Sequence, residues 1–507
     1  MTSTALEVTS VTISVISGSC IVLVTVLAYL LRVGRGSVKG LRRLPIVGHL
    51  HHILLSPSPP HHTLAQLSGL HGPLLHLRLG QVPTVLLSSP RLARLALKSP
   101  LDHHLSSRPR LLSSHHLSFS SSDLTFSPSG PYWRQARRLC LSHLLSPQKL
   151  PQFQQLRLRQ VDRMLSAILR TASLAAEADT DTDTDMDMSA VFLELANDVL
   201  CRVAFGRRFA AGGRLAEVLE ETQRLFGGFC VGDFYPGMEW VGWVTGLRWR
   251  LWRNLRDLRT VCDEIINQHL HKGDDVGDVG GEHAQEDFLD VLLRDMFVAG
   301  TDTTATTLEW AMTELVRHPT ILAKAQAEVR SMVTTTNTTT PQVSDLHHLK
   351  YMKAIIKETF RLHPPAPLLV PRESISECTI EGFKIPPKTR ILINAYAIGR
   401  DPETWVEPLE FKPERFKGNE NIDVKGNEFE LIPFGGGRRG CPGYSFGLAT
   451  IEIALARLLC HFDWSLVDGV KPEDVDMSEI FGLATRKKVP LVLVPRVNKE
   501  FEWKGEA

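Results

Sequence analysis

Residues 433–443 read "PFGGGRRGCPG", which places a single cysteine, Cys441, among five glycines and two arginines. A structural thiol in an apolar core needs neither the close backbone approach that glycine permits nor positive charge nearby. A thiolate that binds a metal beside an anionic cofactor uses both, because arginine pairs with acidic groups. The stretch therefore predicts a metal-binding thiolate in a loop that contacts a charged cofactor.

A helix is expected directly after this loop. Apolar residues recur at helical spacing up to Cys460, and Pro442 would occupy a favoured position in the first turn. Unpaired N–H groups and the helix dipole at that end stabilise negative charge. They favour the thiolate form of Cys441 over the thiol.

The remaining sequence limits which metal this thiolate binds. No second ligand with zinc spacing lies near Cys441, and the twenty histidines occur largely as scattered pairs that we expect in loops and at the surface. One thiolate as the only protein ligand fits haem iron, because the porphyrin supplies the in-plane ligands. The arginines would then meet the haem propionates.

The N-terminal segment differs in character from the rest of the chain. Residues 8–31 carry no charge and are long enough to cross a bilayer as a helix. Glu7 leaves no basic region ahead of this run, so an uncleaved anchor is favoured over a signal peptide. The basic residues that follow keep the next segment cytosolic by the positive-inside rule. We expect an anchor at 1–31, a basic linker at 32–48 and one catalytic domain at 49–507.

Composition and patterning agree with one large cytosolic domain. The chain has 57 basic and 56 acidic side chains, which argues against a nucleic-acid partner. Its eight cysteines are scattered and form no CxxC pair, unlike a secreted disulfide framework. Helical patterns dominate, including those at 287–316, 320–332 and 351–362, the last of which ends before Pro364 and Pro365. The region 105–130 is expected to be an irregular loop. Strand-like runs occur at 74–79 and 84–88, which predict a hairpin, and between 366 and 396, so we predict a mainly α fold with small β-sheets.

The 433–443 stretch resembles the FxxGxRxCxG signature of the cytochrome P-450 haem-thiolate monooxygenases, with matches at Phe434, Gly437, Arg439, Cys441 and Gly443. This signature is highly specific. The resemblance covers nearly the whole chain and is closest to the plant microsomal A-type members. It implies a cytochrome P-450 fold with a single haem domain, haem b as cofactor, contacts from Phe434 and Arg439, and Cys441 as the axial iron ligand.

The segment "AGTDTT" at 299–304 lies inside a predicted helix. From the residues alone it is either a patch for close packing or a groove, in which the Thr303 hydroxyl bonds back to the Ala299 carbonyl. It is similar to the oxygen-binding motif of the family. That similarity implies that Thr303 positions oxygen and that Asp302 relays protons, so these are the predicted catalytic residues.

Two further motifs supply charged residues. "KETFR" places Glu358 and Arg361 on one helical face, a spacing that is common on solvated surfaces. The resemblance adds Arg415 from "PERF" and implies a buried network behind the haem. Because breaking a buried ion pair costs about 3–5 kcal/mol, we assign this network to folding and haem retention.

The remaining charged residues concern the cofactor. Trp133 and Arg137 are four residues apart, which alone predicts a cation–π pair at the surface. The resemblance implies instead that this pair reaches a haem propionate, together with Arg372 and Arg439.

One departure from the family pattern affects the oxygen-binding helix. The segment "EDFLDVLL" is followed by "AGTDTT" after a shorter interval than the family shows, which shortens the region 287–300. Either its apolar residues extend one continuous amphipathic helix, or the distal side of the haem is incompletely roofed.

The resemblance implies a monooxygenase that is anchored in the endoplasmic reticulum membrane and inserts one atom of O2 into a small hydrophobic plant metabolite, such as a terpenoid or phenylpropanoid. The sequence has no flavin or nicotinamide motif, so electrons are expected from NADPH through a separate membrane-bound reductase, with cytochrome b5 as a second candidate donor. The expected pocket draws on residues 105–122, 225–229, 299–303, 368–370 and 481–485. Two alternatives stay open at this point. The intact Asp302–Thr303 pair argues against a haem-thiolate isomerase or dehydratase, and the shortened 287–300 region leaves room for an inactive haem-binding relic.

Overall fold

The computed structural model describes residues 41–503, apart from 99, 119, 144, 146, 178–184, 206–213, 228–229, 271–287 and 420. The predicted anchor at 1–31 and most of the predicted linker lie outside the described residues. Within the described part of the chain, no helix is both long and apolar enough to cross a membrane.

The fold is mainly helical, as predicted. The α-helices, in chain order, are α1 (Leu50–Leu54), α2 (Pro60–His71), α3 (Pro90–Leu97), α4 (Leu101–His104), α5 (Leu112–Leu117), α6 (Pro131–His143), α7 (Gln154–Glu177), α8 (Met188–Phe205), α9 (Arg214–Gly227), α10 (Val231–Phe234), α11 (Val241–Val244), α12 (Leu247–Leu270), α13 (Phe288–Arg317), α14 (Pro319–Thr336), α15 (Lys350–Leu362), α16 (Ala395–Ile398) and α17 (Tyr444–His461). Short 3-10 helices lie at Pro147–Phe153, Pro413–Phe416, Gly437–Arg439 and Pro472–Asp474.

The strands form small sheets at the periphery. They are β1 (Leu74–Leu79), β2 (Val82–Leu87), β3 (Met186–Asp187), β4 (Arg372–Glu373), β5 (Cys378–Ile380), β6 (Phe383–Ile385), β7 (Arg390–Ile393), β8 (Phe462–Leu466), β9 (Glu479–Ile480), β10 (Arg486–Lys487) and β11 (Val492–Val497). The largest sheet has the order β1-β2-β7-β4, with β2 and β7 parallel and the other pairs antiparallel. The predicted hairpin corresponds to β1 and β2, whose register pairs Leu79 with Val82.

The core lies around α13 and α17. Helix α13 packs along α8 and contacts α15 and α17, and its Leu308, Trp310 and Leu315 are almost completely buried. Helix α17 is buried over most of its length, from Thr450 to His461. The loop with Cys441 therefore begins from a rigid element, because α17 is held on several sides by packed apolar side chains.

The structure confirms most of the predicted helices. Helices α13, α14 and α15 match the patterns at 287–316, 320–332 and 351–362. Helix α13 is continuous from Phe288 to Arg317, which agrees with the extended-helix alternative for the shortened 287–300 region. The side chains of residues 288–298 lie outside the described residues.

Three expectations were wrong. Helix α17 begins at Tyr444 with Gly443 as its N-cap, so Pro442 precedes the helix instead of lying in its first turn. The 105–130 region was predicted to be an irregular loop, yet it contains α5. Some histidines are buried and not at the surface: His461 is fully buried, with hydrogen bonds at 2.9 Å to the Thr340 hydroxyl and 2.7 Å to the Phe501 carbonyl.

Candidate active site

The Cys441 loop is shaped by glycine. Gly435 and Gly437 have φ angles of +66° and +64°, a region that side chains other than glycine rarely adopt. A Cβ at Gly437 would also lie 2.6 Å from Asp102 Oδ1, so a larger residue does not fit there. The loop closes when the Cys441 amide donates to the Phe434 carbonyl at 2.9 Å. Cys441 is thereby held two residues before the N-cap of α17, in an exposed position.

Cys441 opens into a large cavity, part of which is open to solvent. The walls come from the predicted segments 299–303, 368–370 and 481–485, and Arg108 represents the predicted segment 105–122. Among the described residues, the segment 225–229 contributes nothing to the lining, and Gln223 from the preceding turn of α9 takes its place. Apolar and small residues make up most of the lining, among them Leu124, Cys140, Leu145, Ala196, Val199, Leu200, Ala299, Gly300, Phe360, Pro365, Ala366, Leu369, Val370, Phe434, Phe446, Ile451, Leu483 and Ala484.

The three predicted propionate arginines all line this cavity. Arg137 donates from Nη2 to the Gly440 carbonyl at 2.7 Å, directly beside the cysteine. Arg372 donates to the Gly436 carbonyl at 2.7 Å and to Asp102 Oδ1 at 2.6 Å. Both side chains therefore stabilise the cysteine loop and keep their charge at its surface.

Arg439 joins this group through a different set of contacts. It donates to the Ser106 and Ser127 carbonyls at 2.8 and 2.7 Å, and its guanidinium lies 3.9 Å from the centre of the Trp133 ring. Trp133 is buried and also lies 5.7 Å from the Arg137 guanidinium. The predicted cation–π pair thus exists, but it lies in the interior and not at the surface.

Sequence reasoning missed Arg108, the fourth arginine of the cavity. It is buried and donates to the carbonyls of Thr125, Val370 and Pro371 at 2.8, 2.6 and 2.9 Å. The sequence "RPR" gives no sign that distinguishes Arg108 from the exposed Arg110. Only its hydrogen bonds to Thr125, Val370 and Pro371, which are distant in sequence or in another loop, reveal its position.

The positive charges of this arginine cluster favour the binding of an anion in the cavity. Burial, and then the charges of Arg372 and Arg137, lower the pKa of Arg439 to about 9. Burial and the charges of Arg439 and Arg372 also lower the pKa of Arg108. Arg439 Nη1 is buried and makes no hydrogen bond within the described structure. An acidic group in the cavity would relieve the repulsion and accept this hydrogen bond.

The two predicted catalytic residues are adjacent in sequence but face different surroundings. Thr303 lines the cavity, and its hydroxyl donates to the Ala299 carbonyl at 2.9 Å, as the sequence predicts. Asp302 does not line the cavity: its Oδ1 accepts from Arg486 of β10, and the carboxylate is buried. Its Oδ2 makes no hydrogen bond with any described residue.

The predicted Glu–Arg–Arg network is formed in full. Arg361 donates to both oxygens of Glu358 at 2.7 and 2.8 Å, and Arg415 donates to Glu358 Oε1 at 2.9 Å. The Lys412 amide adds a bond of 2.7 Å to the same oxygen. Glu358 and Arg361 are fully buried and do not line the cavity. This position agrees with a structural assignment and not with contact to substrate.

The family model named cytochrome P-450 matches residues 38–494, which is most of the chain. The chain belongs to the cytochrome P-450 family. Among its relatives, this P-450 is 49% identical over 511 residues to the tryptamine 5-hydroxylase of Oryza sativa subsp. japonica, with 94% of each chain covered. It is 39% identical to the premnaspirodiene oxygenase of Hyoscyamus muticus, with 89% of this chain and 92% of the relative covered. These relatives identify it as a plant A-type member.

Solved structures agree on the fold. A zebrafish cytochrome P-450 in complex with abiraterone matches with a TM-score of 0.69 at 22% identity, over 87% of this chain and 99% of the other. Family membership brings haem iron as the cofactor and monooxygenase activity on specialised metabolites. The buried, mutually repelling arginines around Cys441 fit the two propionates of haem, and the continuous α13 removes the structural argument for an inactive relic.

Proposed function

We propose that this P-450 hydroxylates a small, largely apolar metabolite, with Cys441 as the axial ligand of the haem iron. One observation carries the proposal: the exposed Cys441, the Thr303 hydroxyl and the arginine cluster line the same cavity. When bound, the haem supplies the activation of O2 and the transfer of one oxygen atom. The protein binds and orients the reactants around it.

The chain would hold the haem through several groups. Cys441 supplies the thiolate, and Arg137, Arg372 and Arg439 supply guanidinium groups for the propionates. Arg108 would add a fourth positive charge. Phe434 belongs to the same loop and packs edge to face against Phe360, with ring centres 5.1 Å apart. The Glu358 network supports this loop region without touching the cavity.

Thr303 and Asp302 would transfer protons to the cavity. The Thr303 hydroxyl donates to the Ala299 carbonyl within the continuous helix α13, and its oxygen can still accept a hydrogen bond from the cavity. Asp302 is held away from the cavity by Arg486. We propose that Asp302 releases Arg486 during turnover, takes up a proton from water near β10, and turns toward Thr303 to pass that proton to the cavity.

The lining limits the chemistry of the substrate. In the part of the chain that the structure describes, no carboxylate lines the cavity, and the polar groups besides arginine are threonines and Gln223. A neutral substrate therefore suits this cavity better than a permanently charged cation, because an ammonium group would stay unpaired near arginines. The rice relative acts on tryptamine, so a comparison of tryptamine with neutral indole compounds tests whether this cavity prefers a neutral substrate.

A cluster of exposed tryptophans supports association with a membrane. Trp240, Trp243, Trp249 and Trp252 are all exposed around α11 and the start of α12, close to the exposed Val244. Arginine guanidinium groups lie 5.3–5.5 Å from the centres of three of these rings. Tryptophan and arginine are favoured at the level of lipid headgroups, where one side of each is apolar and the other is wet. We place the enzyme at the endoplasmic reticulum membrane, where a separate NADPH-dependent reductase, with cytochrome b5 as second donor, would supply electrons.

The haem assignment is tested with the carbon monoxide difference spectrum of the reduced protein. Wild type should show the strongly red-shifted Soret band of a thiolate ligand, and Cys441→Ser should lose it while Cys140→Ser, at another cysteine of the cavity wall, keeps it. A Cys441→Ser protein with an unchanged band would refute the assignment. Product analysis with the reductase, tryptamine and neutral indoles then tests the substrate class.

Membrane association is tested separately with vesicles that contain anionic and neutral lipids. A protein that lacks residues 1–40 should still bind these vesicles, and replacement of Trp243 and Trp252 by serine should weaken that binding. Equal binding by both proteins would count against the tryptophan surface as a membrane contact.

A further inference from the structure

A second group of ligand-type side chains lies outside the haem cavity, between α2 and β9. His61 Nε2 is 2.9 Å from Glu479 Oε2, and His62 Nε2 is 3.3 Å from the same oxygen. These three atoms lie within 4.8 Å of one another. Ligand atoms in a tetrahedral zinc site with bonds of about 2.0–2.1 Å are about 3.3 Å apart, so the spacing suits a cation of this size.

A third imidazole lies next to this group, outside the three atoms that are within 4.8 Å of one another. His363, just after α15, has its Nδ1 at 4.0 Å from Glu479 Oε1, which is too far for a hydrogen bond. Its side chain is only 8% exposed, and this Nδ1 makes no hydrogen bond with any described residue. The other nitrogen, Nε2, lies 2.7 Å from Glu314 Oε1. In the neutral form of His363, donation from Nε2 to Glu314 leaves the Nδ1 lone pair facing Glu479.

This arrangement is unfavourable without a positive charge in the middle. The Nδ1 lone pair of His363 and a carboxylate oxygen of Glu479 face each other inside the protein, and His62 Nε2 also makes no hydrogen bond of good geometry. Either extra protons or a metal cation must balance these groups.

We propose that His61, His62, Glu479 and His363 bind a divalent transition-metal cation of the zinc type. Imidazole and carboxylate are the ligands that zinc takes in proteins, and four of them give its preferred coordination number. Glu314 serves as the outer carboxylate that orients a ligating histidine. The half-exposed His62 lets the ion enter from solvent.

Nearby charges set the strength of this site. Arg400 stacks on Tyr396 at 3.7 Å from the ring centre, and Tyr396 in turn stacks on His62 at 4.4 Å. The positive charge of Arg400 opposes a bound cation, and Arg317 pairs with Glu314 at 3.3 Å. These two charges offset the carboxylates of Glu479 and Glu314, so we expect a site of modest affinity that depends on direct coordination.

Metal binding at this site would reach the haem cavity through β9. Phe481, next to β9, stacks on His61 with ring centres 5.7 Å apart. Leu483 and Ala484, a few residues further on, line the cavity. A cation that joins α2 to β9 would therefore restrict the movement of one wall of the substrate pocket.

The experiment uses the full-length, haem-loaded protein, stripped of other metals with a chelator and then dialysed against Zn2+. Bound zinc per chain is measured by elemental analysis, and its affinity by competition with a chromophoric chelator. Zinc X-ray absorption then reports the ligand atoms. We expect one zinc per chain, with nitrogen and oxygen neighbours at about 2.0–2.2 Å and no sulfur.

His62→Gln is the decisive variant, because His62 is partly exposed and its replacement should leave the fold intact. Its carbon monoxide spectrum should match wild type, while its zinc affinity should fall at least about tenfold. The zinc affinity of Glu479→Gln should fall further than that of His62→Gln. The control replaces His347 and His348, an exposed adjacent pair with ring centres 3.7 Å apart, by glutamine and should bind zinc like wild type. Absence of zinc in wild type, sulfur among the zinc ligands, or unchanged affinity in His62→Gln overturns the proposal.

Discussion

Replacement of Glu358 by glutamine tests whether the buried network is structural or chemical. The carboxylate of Glu358 accepts four hydrogen bonds of 2.7–2.9 Å, from the side chains of Arg361 and Arg415 and from the Lys412 amide. Glutamine keeps the shape but removes the charge, and its NH2 group faces guanidinium donors. Two arginines are then left without their counter-ion, a change that costs about 3–5 kcal/mol at a buried site.

This loss is large compared with a typical unfolding free energy of about 5–15 kcal/mol. The assay is equilibrium urea unfolding of the haem-loaded protein, followed by far-UV circular dichroism and by haem absorbance. Glu358→Gln should unfold at a lower urea concentration and retain less haem. The molecules that keep the thiolate Soret band should turn over substrate at the wild-type rate, because Glu358 does not touch the cavity.

The matched control is Glu428→Gln, which removes an ion pair of 3.1 Å between Glu428 and Arg94, each 40% exposed. Such surface pairs contribute less than about 1 kcal/mol, so this variant should behave like wild type. The reasoning fails if Glu358→Gln also changes the unfolding free energy by less than about 1 kcal/mol. It also fails if the activity per haem collapses while stability is unchanged, since that result would assign Glu358 to the chemistry.

Three further outcomes are expected. Thr303→Val removes the hydroxyl that donates to Ala299 and should lower the fraction of oxidised NADPH that yields product, whereas Thr303→Ser should keep that fraction at the wild-type value. An equal fraction in wild type and both variants would exclude the proposed role. Gly437→Ala should lower the free energy of unfolding by about 1–3 kcal/mol and reduce haem loading, because an alanine there has a φ of +64° and clashes with Asp102. The control Gly469→Ala, at a φ of +82° with open space around it, should leave haem loading intact. Burial raises the pKa of Glu309 from its ordinary 4.5 to about 7, so between these pH values the native state binds more protons than the unfolded state. The free energy of unfolding should therefore fall as the pH rises from 4.5 to 7, and it should fall less in Glu309→Gln.

Local and motif-based signals predicted much of the fold and of the site. The spacing of apolar residues gave the long helices, and Pro364 and Pro365 marked the end of α15. The glycines around Cys441 predicted a loop with close backbone approach, and the structure shows positive φ at Gly435 and Gly437. These features depend on residues near each other in the chain, which a single sequence displays directly.

The features that were missed depend on contacts between distant segments. Asp302 and Arg486 pair across 184 residues, and no local pattern indicates that this pairing keeps the carboxylate out of the cavity. Arg108 enters the cavity because it bonds to carbonyls more than 260 residues away. The buried cluster of His61 and Glu479 is hidden for the same reason, since a histidine pair on a helix looks like surface until the tertiary fold covers it.

The arginines of the cavity have a consequence for the cell. Arg108, Arg137, Arg372 and Arg439 all line the cavity, and burial lowers the pKa of each below its ordinary value. For Arg108 and Arg439, the charges of neighbouring arginines lower the pKa further. A chain without its prosthetic group must therefore keep this repulsion, and we expect it to be recognised by quality control as poorly folded. Haem supply would then set how much enzyme accumulates after translation, and a shortage of haem would appear as faster protein turnover at constant transcript level.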